Sequence, residues 1–273
     1  MLRLESETGW WLTTHTDHAR LAAEFAEAWG NDKFRRPEPR DRVLRSIRSY
    51  EDGWTERDAN PAVTRDGKPA AFTIDLVGDR RAFEEMDVRD FIAVRDQAAR
   101  TLSADDPYAA LLVAMHTHAL LTECTERSEV PADSRAVLDD FLDQHNRYQD
   151  ELRAQVQASD AIAPEHKEER RIQEHMRLLQ ACDLLSLLAC VSFASPTNLV
   201  HPLPLNNGET AVVRVLPVHP REFRVHPWPF AEESLKVTFP ARHLKGKLFI
   251  SAAELQQAFQ AAPVQQLSVT LTQ

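Results

Sequence analysis

The chain has 273 residues, 43% of them hydrophobic and 27% charged, enough apolar mass for a packed core under a solvated surface. Its formal net charge of −10 excludes a general nucleic-acid or anionic-membrane binder, since both need basic surface. Only 7 glycines and 7% aromatic residues, among many Ala, Leu, Glu and Arg, favour helix.

Residues 1–5 lack the apolar region of a signal peptide, and no apolar run is long enough to span a bilayer, so the cytoplasm is the expected location. Residues 9–14 have strand-like composition. Thr16 or Asp17 can cap a helix to Trp29, with His18 on the apolar stripe of Leu21, Ala22, Phe25 and Trp29. A proline-punctuated loop then leads into a helix over residues 43–51, stopped by Gly53. Turn signals fill residues 55–81, with a short extended piece at 72–76. Helical periodicity returns at 88–102, and Asp106-Pro107 opens a strongly apolar helix to about Cys124. Two further helices, 136–159 and 164–193, suggest an antiparallel pair. After Pro196 prolines crowd in, and residues 210–216, 223–225, 235–239 and 267–271 alternate like strands around one short helix at 252–261. The expected fold is mainly α: a helical domain over residues 1–195 carrying a small β-rich C-terminal subdomain over 196–273. Cys124, Cys182 and Cys190 are odd in number and show no C-x-x-C spacing, which argues against disulfides or structural zinc.

Four polar residues stand on apolar helix faces. The stripe Val43, Leu44 and Ile47 continues to Tyr50 and Glu51. A carboxylate aimed at the core needs a partner, because an isolated buried charge is very costly. His18 lies on the first stripe. The helix around His116 and His118 is apolar nearly all round, so at least one of them is buried. Asp183 lies inside an equally apolar run, and aspartate is rarely buried unpaired. Two imidazoles and two carboxylates suit one divalent ion, Zn, Mn, Fe or Mg, or equally a hydrogen-bonded network without metal. Taken singly, each is more often a satisfied core residue. His15 and His145 fall on polar faces and call for no special role. His175, eight residues before Asp183, is expected beside the site. A basic cluster including Arg45 and Arg48 is either a solvated face or a phosphate-facing rim. No Gly-rich phosphate loop, G-x-S-x-G or H-E-x-x-H occurs.

The order of these residues resembles an uncharacterised bacterial family, a domain of unknown function. Its marks are a first-helix histidine, H-D-x-G-W, M-H-x-x-L-L, D-x-L-S-L and P-W-P-F. Here they stand as His18, residues 50–54, Met115-His116, residues 183–187, and Pro227-Trp228-Pro229-Phe230. More distantly the chain resembles HD-domain metal-dependent phosphohydrolases, which implies an HD-like helical bundle. It also implies a metal held by His18, Glu51, His116 and Asp183, and Glu51 or Asp52 as base. The departure is at the centre of the motif: Tyr50 replaces the family histidine and Glu51 its aspartate. A neutral phenol is a poor ligand for zinc or manganese. The expectation is a degenerate HD-like protein, non-catalytic or weakly active, with a buried His/carboxylate pocket. Tyr50, His118 and His175 would support it from behind. One alternative is a single-metal phosphohydrolase acting on a phosphate ester or nucleotide-like small molecule, its phosphate held by Arg45 and Arg48. The other is a structural polar core with an interaction surface elsewhere. A small-molecule ligand is compatible with the first two, whereas a nucleic-acid or membrane partner is not expected.

Overall fold

The computed structural model describes residues 1–71, 87–123, 132–191, 193 and 195–273. The extended piece expected at 72–76 and Cys124 lie outside them. Strands β1 (Leu2–Ser6) and β2 (Gly9–Thr13) form an antiparallel hairpin. Next come helices α1 (His15–Ala28), α2 (Arg40–Ser49), α3 (Thr55–Ala59), α4 (Val88–Ser103), α5 (Pro107–Glu123), α6 (Ala132–Ala158) and α7 (Glu169–Cys190).

The cap of α1 is Thr14, whose hydroxyl accepts from the Asp17 amide at 3.0 Å. This starts the helix earlier than expected and puts His15 in a buried first turn. Asp106 does close the start of α5, accepting from the Ala109 amide at 3.1 Å. α5 is apolar all round because α2, α4, α6 and α7 surround it. The helices α6 and α7 do not lie along each other as an antiparallel pair would. Instead α6 lies against α4 and α5, while α7 lies against α1, α2 and α5.

The short strands β3 (Thr197–Asn198), β4 (Leu203–Pro204) and β5 (Thr210–Ala211) precede the longer β6 (Arg214–His219), β7 (Glu222–His226) and β8 (Ser234–Lys245). Helix α8 (Ala252–Ala261) and strand β9 (Val264–Thr272) follow. Among the described residues the main sheet has seven strands in the order β1-β2-β8-β9-β7-β6-β3. Among the described strands only the β7–β9 pair is parallel. β8 joins the chain's two ends, pairing with β2 on one side and β9 on the other.

This overturns the expectation of an HD-like helical bundle with a small β-rich appendage. The protein is 51% helical and 22% strand, and the sheet is a large, curled half-barrel. Its inner residues, among them Leu2, Val215, Val225, Phe239 and Val269, share one hydrophobic core with Phe25, Ile47, Leu112 and Leu185 of the helices. The physical reason is that β1 and the second half of β8 are too short or too mixed to read as strands alone. They become strands by pairing through β2, across nearly the whole chain. Residues 227–230 fasten the sheet to the end of α1. The Gly30 amide donates to Pro229 O at 2.9 Å, Asn31 donates to Trp228 O and Phe230 O, and the Phe230 ring packs on Trp29 at 5.4 Å. No helix among the described residues is long and apolar enough to cross a membrane.

Candidate functional site

Helices α1, α2, α4 and α7 bring the central side chains together. His18 points inward because it shares the apolar stripe of α1. α2 ends at Ser49, so Tyr50 is its C-cap and Glu51 lies in the turn before a 3-10 segment, Asp52–Trp54. That segment seats directly on α4. A Cβ on Gly53 would sit 2.0 Å from the Val94 carbonyl oxygen, so glycine alone permits the approach. The same approach sets Glu51 beside Arg95 of α4, with Oε1 2.7 Å from Nη1. From α7 come Asp183 and, one turn on, Ser186.

His18, Tyr50 and Asp183 form a closed triangle. The Tyr50 hydroxyl lies 2.7 Å from His18 Nε2 and 2.6 Å from Asp183 Oδ1, and these last two are 3.0 Å apart. Ser186 Oγ lies 2.7 Å from His18 Nδ1 and donates to the Asp183 carbonyl at 2.8 Å. Since Ser186 has one proton, it accepts from His18 Nδ1–H. The Tyr50 hydroxyl also has one proton, and it goes to Asp183 Oδ1. The centre thus gathers two carboxyl groups, one guanidinium and one imidazole. Burial pushes the Tyr50 phenol well above its usual value, and the Asp183 and Glu51 charges add to this, so it stays protonated. Burial would raise Asp183, but His18 and His116 hold it down to about 2. Burial raises Glu51, with Arg95 opposing. Ser186, His18 and Asp183 lie in the sequence of a hydrolytic triad, yet Ser186 is fully buried and its proton is spent on a carbonyl. It is no nucleophile.

His116, 1% exposed, faces this triangle from α5: its Nε2 is 3.8 Å from Asp183 Oδ2, and its ring meets Tyr50 edge-on at 5.2 Å. Both His116 nitrogens, Glu51 Oε2 and Arg95 Nε are buried without hydrogen-bond partners among the described residues. Of the four expected ligands, three converge: His18, Glu51 and Asp183 offer donor atoms within 4.8 Å of one another. His116 stands at the edge of that set. The donor types suit a divalent transition metal. The set as it stands does not fit a resident ion, however. Tyr50 holds both His18 Nε2 and Asp183 Oδ1, and a guanidinium already sits on Glu51.

Other expected site residues have separate partners. Asp52 is exposed at the start of the 3-10 segment. Arg45 pairs with Asp105 at 2.8 Å, and exposed Arg48 lies 4.0 Å from Glu27. His118 is half-buried, and its ring lies parallel to that of His145 at 6.5 Å. His175 is buried with Nδ1 2.7 Å from the Tyr108 hydroxyl. His15 and His145 are both buried, contrary to the polar faces expected of them. His15 stacks on Trp54 at 4.1 Å, and its Nδ1 lies 2.9 Å from Asp58 Oδ1. The nitrogen of Met1 lies 2.8 Å from that oxygen. Arg95 and Ser186 escaped the sequence reading, although both left a trace. Arg95 is spaced i+4 from Phe91 and i−4 from Ala99, on the buried stripe of α4. Ser186 follows Asp183 by three, on the same face.

Fold and site together define a protein of helices and one curled sheet around an internally paired histidine–carboxylate centre. The chain belongs to the family described as "Protein of unknown function (DUF3891)", which it matches over residues 1–246. That span runs from β1 through β8. Neither the curated proteins nor the solved structures contain a match.

Proposed function

We propose that the chain is non-catalytic or weakly active. In this reading its His18, Tyr50–Glu51 and Asp183 centre is an altered version of the histidine/carboxylate set of HD-domain phosphohydrolases. The likeness lies in the order and chemistry of these residues and does not extend to the fold. The observation that carries the reading is the Tyr50 hydroxyl, bonded at 2.6 and 2.7 Å to the Asp183 and His18 atoms a metal would need. A centre closed in this way stabilises a buried polar core, and the atoms that would hold a metal are spent on one another.

The competing reading is a single-metal hydrolase of phosphate esters. Its support is the unbonded Glu51 Oε2 and His116 nitrogens, since buried polar atoms rarely lack partners. Against it, Arg45, assigned to hold phosphate, is occupied by Asp105. Elemental analysis of protein purified without chelator decides between them, with Asp183→Ala and His116→Ala as controls. We expect metal well below one equivalent and no phosphate release from simple phosphate esters. Stoichiometric metal that disappears in both variants would overturn the non-catalytic reading.

A further inference from the structure

We propose that the free side of β8, with α1 as its opposite wall, is a docking groove for an extended basic segment of another protein. The segment adds to the sheet there as one further strand.

The groove follows from where the chain leaves the sheet. β2 pairs with β8 only from Leu12↔Arg242 to Gly9↔Lys245, whereas β9 pairs with β8 over residues 234–242 without a register shift. At Thr14 the chain turns into α1, which carries on along β8 in the direction β2 had. It ends where the Ala231 amide donates to Ala28 O at 3.2 Å. A helix with its side chains is about 10–12 Å across and cannot approach β8 at the ~4.8 Å spacing of a strand. A groove of about 680 Å³ therefore opens between residues 17–28 of α1 and 235–240 of β8. Among the described residues, the main chain of 235–240 has no partner on this side.

Pro240 marks which main-chain groups face the groove. A proline inside an unbroken ladder needs its nitrogen on the unpaired side. Main-chain groups alternate in direction along a strand, so Lys236 and Thr238 turn N–H and C=O the same way as Pro240. Such a row can pair with any extended chain, and side chains select which. Glu24 and Glu27 stand exposed on the helix wall, and exposed Glu232 and Glu233 lead into the strand. Glu24 forms no ion pair with a described residue, and Glu27 has only exposed Arg48 at 4.0 Å. Of the two cations lining the groove, Arg20 is taken by Asp17 at 3.1 Å, which leaves Lys236. Leu21, Ala28, Leu235 and Val237 supply apolar surface between these charges. The complement is an extended segment in which Arg or Lys alternates with aliphatic residues.

The test is fluorescence anisotropy with a labelled, end-blocked peptide of about seven residues in which Val and Arg alternate, long enough to span the groove. Saturable binding to the wild type is expected. Glu24→Lys with Glu27→Lys should weaken it about tenfold, and a peptide with Glu in place of Arg should not bind. Thr238→Pro removes a groove-facing N–H without touching the β9 ladder, and should abolish binding. N-methylation of the peptide's central Arg and of the Val beside it should differ, one abolishing binding and the other sparing it, because only alternate amides face β8. No saturable binding to the wild type overturns the proposal. Binding that survives both N-methylations, or neither, overturns it too, since the contact would then not be strand pairing. A wild type that dimerises in solution, and loses the dimer in Thr238→Pro, would put a second copy on this edge and overturn it as well. If Thr238→Pro does not fold, the N-methylated pair decides alone.

Discussion

His116 carries two ring nitrogens, a residual exposure of 1% and no hydrogen bond to any described residue. Burial takes its pKa down to about 4, so at neutral pH it is an uncharged ring with unmet polar atoms. Leaving such atoms buried costs about 1–3 kcal/mol. Replacing the ring by an apolar side chain of similar size should recover part of that. His116→Leu is therefore expected to be neutral or to gain up to about 1 kcal/mol in urea unfolding. A loss of several kcal/mol would show that a bound group satisfies the ring. His116 was legible in the sequence because its helix has no polar face to receive it. Glu51 was legible in the same way, as a carboxylate continuing an apolar stripe. Its partner was not, because α4 is otherwise amphipathic and one arginine among several on such a helix passes as solvated. His145 misled for a similar reason: α6 is polar overall, and only the packing of α4 and α5 against it shows which side is covered.

At the scale of elements, the best-read pieces were the long helices, whose caps and periodicity are local. The connection at Pro227-Trp228-Pro229-Phe230 carries two large rings, each preceded by a proline that fixes the path, and such rings have few alternatives to packing. Its partner is the end of α1. Phe230 is 1% exposed and touches Phe25, Trp29 and Trp228 at ring separations of 6.5, 5.4 and 4.9 Å. Phe230→Ala should cost about 3–5 kcal/mol, as expected for emptying a large core site. Urea denaturation followed by tryptophan fluorescence would measure it, and a loss below 1 kcal/mol would show that the junction is dispensable. The strands were read only in part. The alternation over 235–239 was visible, but β8 runs on to Lys245 through Pro240, Ala241 and Arg242, where composition gives no signal. Pairing with β9 and β2 makes those residues a strand, and pairing across the chain is not written in any short window.

Over the whole molecule the buried histidines dominate the response to pH. Burial first of all lowers His15 and His175 to about 3, and His116 and His145 to about 4. In the unfolded chain each titrates near 6.5, so below about pH 6.5 the unfolded state binds more protons than the folded one. Stability contributed by these four is complete above that value and falls as the pH drops toward 4. Asp183, held at about 2, adds a loss only below pH 4. Glu51 acts in the opposite sense: its raised pKa makes the native state keep a proton longer as pH rises, which offsets a little of the loss near pH 5. Each histidine contributes about 1–2 kcal/mol of loss between pH 7 and 5. Unfolding free energies from urea titrations at the two pH values should differ by several kcal/mol in total, with proton uptake on unfolding at pH 5. Equal free energies would mean that these rings are charged in the folded protein.

The position of β8 between β2 and β9 has a consequence for biosynthesis. Gly9 pairs with Lys245 and Leu12 with Arg242, so during synthesis the β1–β2 hairpin must wait until all of α1–α7 has been made before its neighbour strand exists. Until then the outer edge of β2, with Trp10 and Leu12 beside it, has no strand to receive it. An open strand edge is a template for pairing with other chains. Contacts this distant in sequence also form late in folding. Stalled or prematurely terminated chains ending before residue 234 would carry the helices and this unmatched edge together. They are therefore the species that chaperones must shield or proteases remove, while the full-length product closes the edge on itself.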